Sequence, residues 1–264
     1  PLLEEEDRQI ANEVPHEFKH IESIDFDHVW FSYDNNDVFA LEDFTLSINA
    51  GEFIGIVGPS GSGKSTLLSL LMGLYKPTKG AIYINDIDIA NYDSSVLRHL
   101  MGYVFQQAYL FKGSIKDNLS LFDTSISFDD MVDAAKQVNL DSMIEQLPEG
   151  YNTPVGYLGS LLSDGQKQLL AFGRTLIRKT PILLLDEATA NIDSHTEKQI
   201  QASIENIRGT KTIVSIAHRL STVQDANKIV YMEYGKIIES GSFEELINSK
   251  GAFYNLWSNQ QSGS

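Results

Sequence analysis

The segment GPSGSGKST, from Gly58 to Thr66, has the residue types and spacing of a phosphate-binding loop. It matches G-x-x-x-x-G-K-[ST] in full and lies between a predicted strand and a predicted helix. Glycine lets the backbone curl so that successive N–H groups face a phosphate, and the helix N-terminus adds partial positive charge. We expect Lys64 to reach the β- and γ-phosphates of a nucleotide and Ser65 to bind Mg²⁺; a merely flexible Gly/Ser loop is disfavoured by the strand–loop–helix context. The other residues expected to hold the nucleotide here are Gly58, Ser60, Gly61, Ser62, Gly63 and Thr66.

A pair of carboxylates, Asp186 and Glu187, follows the apolar run ILLL. Such a run is typical of a strand buried on both faces, and ligands of α/β sheets bind at the carboxyl ends of strands. We expect Asp186 to bind Mg²⁺ through water and Glu187 to polarise the attacking water. The alternative, a solvated acidic strand end, is disfavoured when the pair is combined with the phosphate loop.

Alternating strands and helices must position these residues. The patterning predicts strands at 24–33, 44–48, 53–58, 80–86, 101–105, 182–186, 212–218 and 228–233, and helices at 64–75, 163–177 and 242–257. The last helix is expected to break near Gly251. Between about 108 and 178 the alternation stops, and two helix-capping patterns occur, Ser114 with Asp117 and Ser127 with Asp130. We interpret this stretch as a helical subdomain inserted in an α/β core.

The composition of the 264 residues excludes several classes of site. A wide nucleic-acid-binding face needs clustered Lys and Arg, so the net charge of −16 argues against nucleic acid as a partner. The absence of cysteine excludes disulfides, thiol catalysis and thiolate metal sites. Apolar runs stay far below the about 20 residues of a membrane-spanning helix, and no signal peptide is recognisable. We expect a soluble domain at 21–258, after a polar linker at 1–20 and before a frayed tail at 259–264.

Further motifs occur in the order found in ATP-binding cassette (ABC) proteins. The segment LLSDGQKQ resembles the signature motif LSGGQ, DEATANID resembles the Walker B motif with its D-loop, and IAHRLST is similar to the switch region. VFQQ resembles the Q-loop, and TPVGYLG resembles the segment that precedes the signature in exporters. Together with the Walker A match at 58–66, these motifs make the chain resemble the exporter type of the ABC family over about residues 21–258.

The resemblance implies a fold and an activity. The fold would be α/β: a P-loop NTPase (RecA-like) core with an antiparallel β subdomain and the inserted helical subdomain. The activity would be ATP hydrolysis with ATP and Mg²⁺ as cofactors, and Lys64, Glu187 and His218 would be the catalytic residues. His218 would contact the γ-phosphate, although an isolated histidine is more often structural.

Other positions carry implied binding roles. Tyr33 would stack on adenine, although alone it reads as a half-buried strand aromatic. Gln106 would join Ser65 and Asp186 at the Mg²⁺ ion. The signature residues implied to contact nucleotide are Ser163, Gly165 and Gln166.

The resemblance also implies partners. Two ATPase domains would face each other head to tail, with ATP between the phosphate loop of one and the signature helix of the other. That helix starts at Ser163, and its N-terminus would offer N–H donors and positive dipole to the γ-phosphate. A transmembrane domain of the same transporter is the other implied partner, and it would place the chain at the cytoplasmic face of a membrane.

Three residues depart from the family pattern around the signature. Asp164 replaces a glycine, Tyr157 replaces a usual glutamate, and Leu169 replaces a common arginine, and we expect all three to share one surface. A carboxylate about 5 Å from a phosphate oxygen costs about 3 kcal/mol at an effective dielectric near 20. Alternatively, Asp164 caps the helix and faces solvent. The first interpretation predicts a heterodimeric exporter in which a non-identical partner carries the intact signature.

Other functions remain open from the sequence. An importer ATPase subunit and a non-transport ABC ATPase are the nearest alternatives, and a nucleotide-sensing module that never hydrolyses ATP is a third. Intact Glu187 and His218 speak against the sensing module.

Overall fold

A computed structural model describes residues 21–34, 38–188 and 192–262. The predicted linker at 1–20 and residues 189–191 of the segment resembling the D-loop lie outside the described residues. The strands are β1 (Ser23–Phe31), β2 (Leu41–Asn49), β3 (Phe53–Val57), β4 (Lys79–Ile84), β5 (Ile87–Asp88), β6 (Met101–Val104), β7 (Ile182–Asp186), β8 (Thr212–Ile216), β9 (Lys228–Glu233) and β10 (Lys236–Gly241). The helices are α1 (Lys64–Leu71), α2 (Ser94–Leu100), α3 (Ile115–Ser120), α4 (Phe128–Gln137), α5 (Asp141–Glu145), α6 (Asp164–Ile177), α7 (Ser194–Ile207), α8 (Phe243–Ser249) and α9 (Ala252–Ser262).

The larger sheet has the strand order β10-β9-β3-β8-β7-β6, and all of its strands are parallel except β10. Every residue of β3 and β8 is buried. Strands covered on both faces need continuous apolar runs, and the sequences FIGIV and TIVSI largely supply them. Because the strands are parallel, the loops that follow β3, β6, β7 and β8 emerge at the same edge of the sheet.

The smaller sheet is antiparallel, with the order β2-β1-β4-β5. Buried and exposed residues alternate along β2 from Phe44 to Asn49, as the period-two pattern predicts. Phe26 and Phe44 meet edge to face with ring centroids 5.5 Å apart. Apolar side chains of this sheet, of α1 and of one face of the larger sheet form a single core. This packing holds β1, which leads to Tyr33, close to α1.

The chain between β6 and β7 consists of α3 to α6 and connecting turns, so helices interrupt the strand alternation where the sequence predicts. The backbone N–H of Asp117 donates to Ser114 Oγ at 3.3 Å, and the N–H of Ser114 donates to Asp117 Oδ2 at 2.8 Å. Ser127 begins α4 in a similar way, because its Oγ accepts from the N–H of Asp130 at 3.1 Å. Both predicted capping patterns therefore start helices.

Helix α1 is shorter than the predicted 64–75 and ends at Leu71. The N–H of Leu74 donates to Ser69 O at 3.0 Å, and the N–H of Gly73 donates to Leu70 O at 2.9 Å. These two bonds form a Schellman motif, in which Gly73 adopts the left-handed conformation with a φ of 69°. The helix stops at this glycine rather than at the proline that follows.

The C-terminal segment forms α8 and α9, which are separated at Gly251 as predicted. The prediction of a frayed tail from residue 259 is wrong as far as residue 262, because α9 continues to Ser262. The side chain of Gln260 explains this order, since it bonds to the backbone of His218 and Leu220. Among the described residues, no helix has both the length and the apolar character needed to cross a bilayer.

Candidate functional site

Glycines shape the loop between β3 and α1. Gly58 has a φ of 147°, and a Cβ there would lie 2.1 Å from Met232 O. Gly63 has a φ of 100°, and a Cβ there would lie 2.4 Å from Ala40 O. Both positions therefore require glycine. Gly63 precedes α1 and offers no side-chain cap, so the first N–H groups of α1 are left for a ligand.

Lys64 is only 8% exposed and lies inside this loop. Its ammonium donates to Gly58 O at 2.9 Å and to Pro59 O at 2.8 Å. Burial lowers the pKa of Lys64, and the negative charges of Glu187 and Asp186 oppose that shift. An ammonium has three donors, so one N–H can still reach a phosphate oxygen.

Ser62 supplies a second observation that fits a phosphate. The residue is 2% exposed, and its buried Oγ has no hydrogen-bond partner among the residues that the structure describes. Leaving a buried hydroxyl unpaired costs about 1–3 kcal/mol, and an oxyanion at the loop would pair with it. Ser60, Gly61 and Ser65 are exposed on the same loop.

Asp186, at the end of β7, lies between two hydroxyl groups. Its Oδ1 accepts from Ser65 Oγ at 3.5 Å, and its Oδ2 accepts from the phenol of Tyr103 at 2.7 Å. Burial and the bond to Asp186 raise the pKa of Tyr103, so the phenol stays protonated and donates. Hydroxyl and carboxylate oxygens are ligands that Mg²⁺ accepts. Ser65 and Asp186 therefore fit the predicted metal site.

Tyr103 is a site residue that the sequence reasoning missed. It lies opposite Leu184 in the parallel pairing of β6 with β7. Since side chains alternate along a strand, Tyr103 and Asp186, two residues beyond Leu184, share a face of the sheet. A tyrosine near the end of a predicted strand was the available signal, but the strand neighbour and register were needed to pair it with Asp186.

Glu187 begins the turn after β7 in a left-handed conformation, with a φ of 46°. This conformation is uncommon outside glycine, and eleven other non-glycine residues of the described ranges also adopt it, so it does not by itself mark a functional site. The N–H of Glu187 donates to Ile216 O at 3.1 Å, and its Oε2 accepts from Gln106 Nε2 at 2.7 Å. The structure thus brings Gln106 to Glu187, whereas no hydrogen bond joins Gln106 to Ser65 or Asp186 within the described ranges.

His218 follows β8, which lies between β3 and β7 in the sheet. The histidine is exposed and emerges between the loop of Lys64 and the turn of Glu187. Over the described ranges, its imidazole makes no hydrogen bond with Lys64 or Glu187. Its backbone carbonyl accepts from Gln260 Nε2 at 2.8 Å.

Tyr33 is 55% exposed, and both its phenol oxygen and its ring contact neighbouring side chains. Its phenol lies 3.0 Å from Thr66 Oγ1 on α1. Its ring meets Phe31 and Tyr75 edge to face, with centroids 4.9 Å and 5.3 Å away. An exposed aromatic face beside the phosphate loop suits stacking on a flat ring such as adenine.

The signature residues form the N-terminus of α6. Ser163 Oγ accepts from the N–H of Gln166 at 3.2 Å, and Gln166 Oε1 accepts from the N–H of Ser163 at 2.9 Å. A Cβ on Gly165 would lie 2.4 Å from Thr196 Oγ1, so this glycine allows α6 to approach α7 closely. Ser163 and Gln166 line a cavity of about 370 Å³, together with His195 and others, and no residue of the loop 58–66 lines it.

The three departures from the family pattern have different surroundings. Asp164 is the first helical residue rather than the cap, its side chain is 78% exposed, and it pairs with Lys167 at 2.9 Å. Tyr157 is also exposed. The expectation that Leu169 shares their surface is wrong, because Leu169 is 3% exposed and packs in the core. Five positions after Asp164 on a helix is about 140° around the axis, which turns Leu169 inward.

The sequence matches a family model described as ABC transporter over residues 41–190. A Streptococcus pneumoniae protein named as ABC transporter ATP-binding protein exp8 is 45% identical over 238 residues, covering 90% of this chain and 40% of the relative. A Staphylococcus aureus protein named as a multidrug export ATP-binding/permease protein is 41% identical over 261 residues, covering 98% of this chain and 45% of the relative. The chain therefore spans less than half the length of these curated relatives.

Among solved structures, the chain is similar to a bacterial Atm1-family ABC exporter with ATP bound. The TM-score is 0.85 at 38% sequence identity, and the match covers 91% of this chain and 42% of that chain.

Proposed function

Since the chain belongs to the ABC transporter family and is an ATPase domain of that family, we propose that its ATP hydrolysis drives the export of a substrate across a membrane. The same matches confirm the predicted α/β P-loop NTPase fold. The relatives' names include ATP binding and multidrug export, and the similar structure is an exporter. The importer and non-transport alternatives are therefore not favoured.

The observation that carries the proposal is that four candidate site residues lie together at one edge of the larger sheet. Lys64 and Ser65 follow β3, and Asp186 and Glu187 close β7, with β8 between the two strands. A phosphate-binding cation, oxygen ligands for a metal and a carboxylate base thus share one site. This combination suits phosphoryl transfer to water, in which positioning and charge stabilisation provide most of the catalysis.

Each residue has a separate task in the proposed reaction. The loop N–H groups and Lys64 hold the triphosphate, and the ring of Tyr33 stacks on adenine. Ser65 and Asp186 would hold Mg²⁺, which would supply positive charge near the phosphate oxygens. Glu187 orders the attacking water and accepts its proton, with Gln106 holding the carboxylate in place. His218 donates to the γ-phosphate.

A second ATPase domain is the first proposed partner. Ser163 and Asp164, at the start of α6, are exposed to solvent, and the positive end of the helix dipole lies there. In a head-to-tail pair, this helix terminus binds the γ-phosphate held by the other domain's loop, through Ser163, Gly165 and Gln166. ATP then joins the two domains, and its hydrolysis separates them.

A transmembrane domain is the second proposed partner, at the cytoplasmic face of a membrane. The loop after β6 exposes the aromatic rings of Phe105, Tyr109 and Phe111. Arg174 of α6 holds this loop, since its guanidinium donates to Tyr109 O at 3.0 Å and lies 5.7 Å from the Phe111 ring. Burial lowers the pKa of Arg174 to about 10. Exposed aromatics on a fixed loop suit a protein interface, and they adjoin Gln106.

We further propose that the partner ATPase domain is not identical to this one. Asp164 adds negative charge to the helix terminus that must meet a phosphate, which weakens the site that this α6 completes. The bond to Lys167 and solvent screening reduce the penalty. The phosphate loop, Asp186 and Glu187 of this chain have the residue types needed for hydrolysis. A dimer with a non-identical partner would therefore have one working site, at this chain's loop, and one weak site, at the start of its α6.

Replacing Asp164 by Asn should raise the ATPase turnover of a homodimer of this chain about tenfold. The substitution removes the charge and keeps the side-chain size. The carboxylate costs at most about 3 kcal/mol near a phosphate, and its pairing with Lys167 reduces this cost, so the expected gain is about tenfold. Steady-state phosphate release would measure the change. Asp129→Asn, at an exposed position in the first turn of α4, is the matched control. Equal rates in both variants would remove the case for unequal sites.

The test of the proposed function is phosphate release from ATP by the purified 264-residue chain with and without Mg²⁺. We expect hydrolysis that depends on Mg²⁺ and rises more than linearly with protein concentration, because two domains complete each site. The proposal would be contradicted if the chain bound ATP but did not hydrolyse it at any protein concentration, either alone or mixed with a second ABC ATPase domain.

A further inference from the structure

The side chain of Gln260, in the last turns of α9, bridges the backbone on both sides of Arg219. Its Nε2 donates to His218 O at 2.8 Å, and its Oε1 accepts from the N–H of Leu220 at 3.2 Å. Arg219 is extended, with φ −95° and ψ 123°. In extended chain, the C=O of one residue and the N–H two residues later point the same way, so one carboxamide satisfies both as a neighbouring strand would.

The opposite side of this segment is also fixed. The guanidinium of Arg219 forms an ion pair with the buried Glu197 on α7 and donates to Ile192 O at 3.2 Å. Ser221 Oγ donates to the other oxygen of Glu197 at 2.7 Å. The residues around His218 are therefore held between α7 and α9. His218 itself remains exposed.

Helix α9, which holds one side of the segment around His218, is itself anchored to β10 and to the core. The carboxylate of Glu239 on β10 accepts from the N–H groups of Ala252 and Phe253, at 2.6 Å and 3.1 Å. Phe253 is fully buried. Gln260 lies seven residues later, which is about two helical turns, so it projects from the face that Phe253 packs into the core. Glu239, Phe253 and Gln260 thus join β10 to the segment that carries His218.

We infer that Gln260 is a positioning residue for His218: it fixes the backbone from which the imidazole reaches the γ-phosphate. The inference rests on the proposed function, in which His218 makes that contact. Gln260 does not touch the reacting atoms. Catalysis is sensitive to errors of about 1 Å in the placement of such groups, so releasing the segment slows the chemical step while ATP binding, which depends on the loop at Lys64, stays unchanged.

The test compares Gln260→Ala and the isosteric Gln260→Glu in the full 264-residue chain. Glutamate keeps the acceptor for Leu220 but replaces the donor to His218 O with an oxygen. Both variants should lower kcat for ATP about tenfold, with KM and nucleotide affinity changed less than twofold. Gln261→Ala is the control, because the neighbouring Gln261 is exposed and, with His218 and Gln260, lines a cavity of about 500 Å³. It should retain the parent rate, and thermal melting of each variant reports whether the fold is kept.

A double substitution separates positioning from a general structural effect. If Gln260 acts through His218, then Gln260→Ala should add no further loss in a His218→Ala background. The same tenfold loss in both backgrounds would overturn the inference, as would full turnover of Gln260→Ala while His218→Ala is impaired. Full turnover of His218→Ala itself would instead overturn the role of His218 in the proposed function, and the inference with it.

Discussion

Replacing Glu187 by Gln should lower ATP turnover about 10³-fold and leave ATP bound. The amide has nearly the same size and keeps an oxygen that accepts from Gln106, so the turn after β7 and its 2.7 Å contact can persist. It cannot accept a proton from water, and loss of a general base costs about 10²–10⁴ in rate. Lys64, Ser65 and Asp186, which are proposed to hold the nucleotide and metal, are untouched.

Two measurements check this prediction. Single-turnover phosphate release gives the rate of the chemical step, and size-exclusion chromatography with labelled ATP shows whether the variant keeps nucleotide in a stable dimer. Glu244→Gln is the matched control, since Glu244 is an exposed carboxylate in the first turn of α8, away from the nucleotide site, and it should hydrolyse ATP at the parent rate. Undiminished hydrolysis by Glu187→Gln would mean that another group activates the water.

Local patterns in the sequence were enough to predict the elements that carry the site. The continuous apolar residues of FIGIV and ILLL indicated strands buried on both faces, and the structure places them as β3 and β7 in the parallel sheet. Ser163 was expected at the start of a helix, and it forms a complete capping box with Gln166. Such predictions succeed because they depend on residues close in sequence.

Features that depend on distant residues were not accessible. The bond from Tyr103 to Asp186 follows from the register of β6 against β7, which local patterns do not encode. The bridge from Gln260 to His218 joins residues 42 positions apart, so a polar C-terminal segment looked like a tail. The left-handed conformation of Glu187 was missed as well, because an acidic residue gives no local signal for positive φ.

The environment of Lys64 indicates that burying its charge opposes folding. Burial lowers its pKa, which means that the folded state holds the proton less tightly than the unfolded chain does. The charged form therefore costs folding free energy below the folded-state pKa, and this cost disappears as pH rises through the unfolded value. The bonds to Gly58 O and Pro59 O, each contributing about 1 kcal/mol, offset part of that cost.

Replacing Lys64 by Met should therefore separate binding from stability. Methionine keeps an unbranched side chain in the buried space and removes the charge and its donors. The loss of two hydrogen bonds destabilises the fold, whereas the removal of a buried charge stabilises it. Because these effects oppose each other, we expect the free energy of unfolding to change by less than about 2 kcal/mol. ATP affinity should fall at least about 10²-fold, because a preorganised charged donor to a phosphate is lost. Calorimetric titration with a non-hydrolysable ATP analogue and chemical denaturation measure the two quantities, and Lys112→Met, at an exposed lysine, should change neither. A large loss of stability with retained affinity would show that Lys64 is a structural residue of the loop and that the triphosphate is held by the backbone alone.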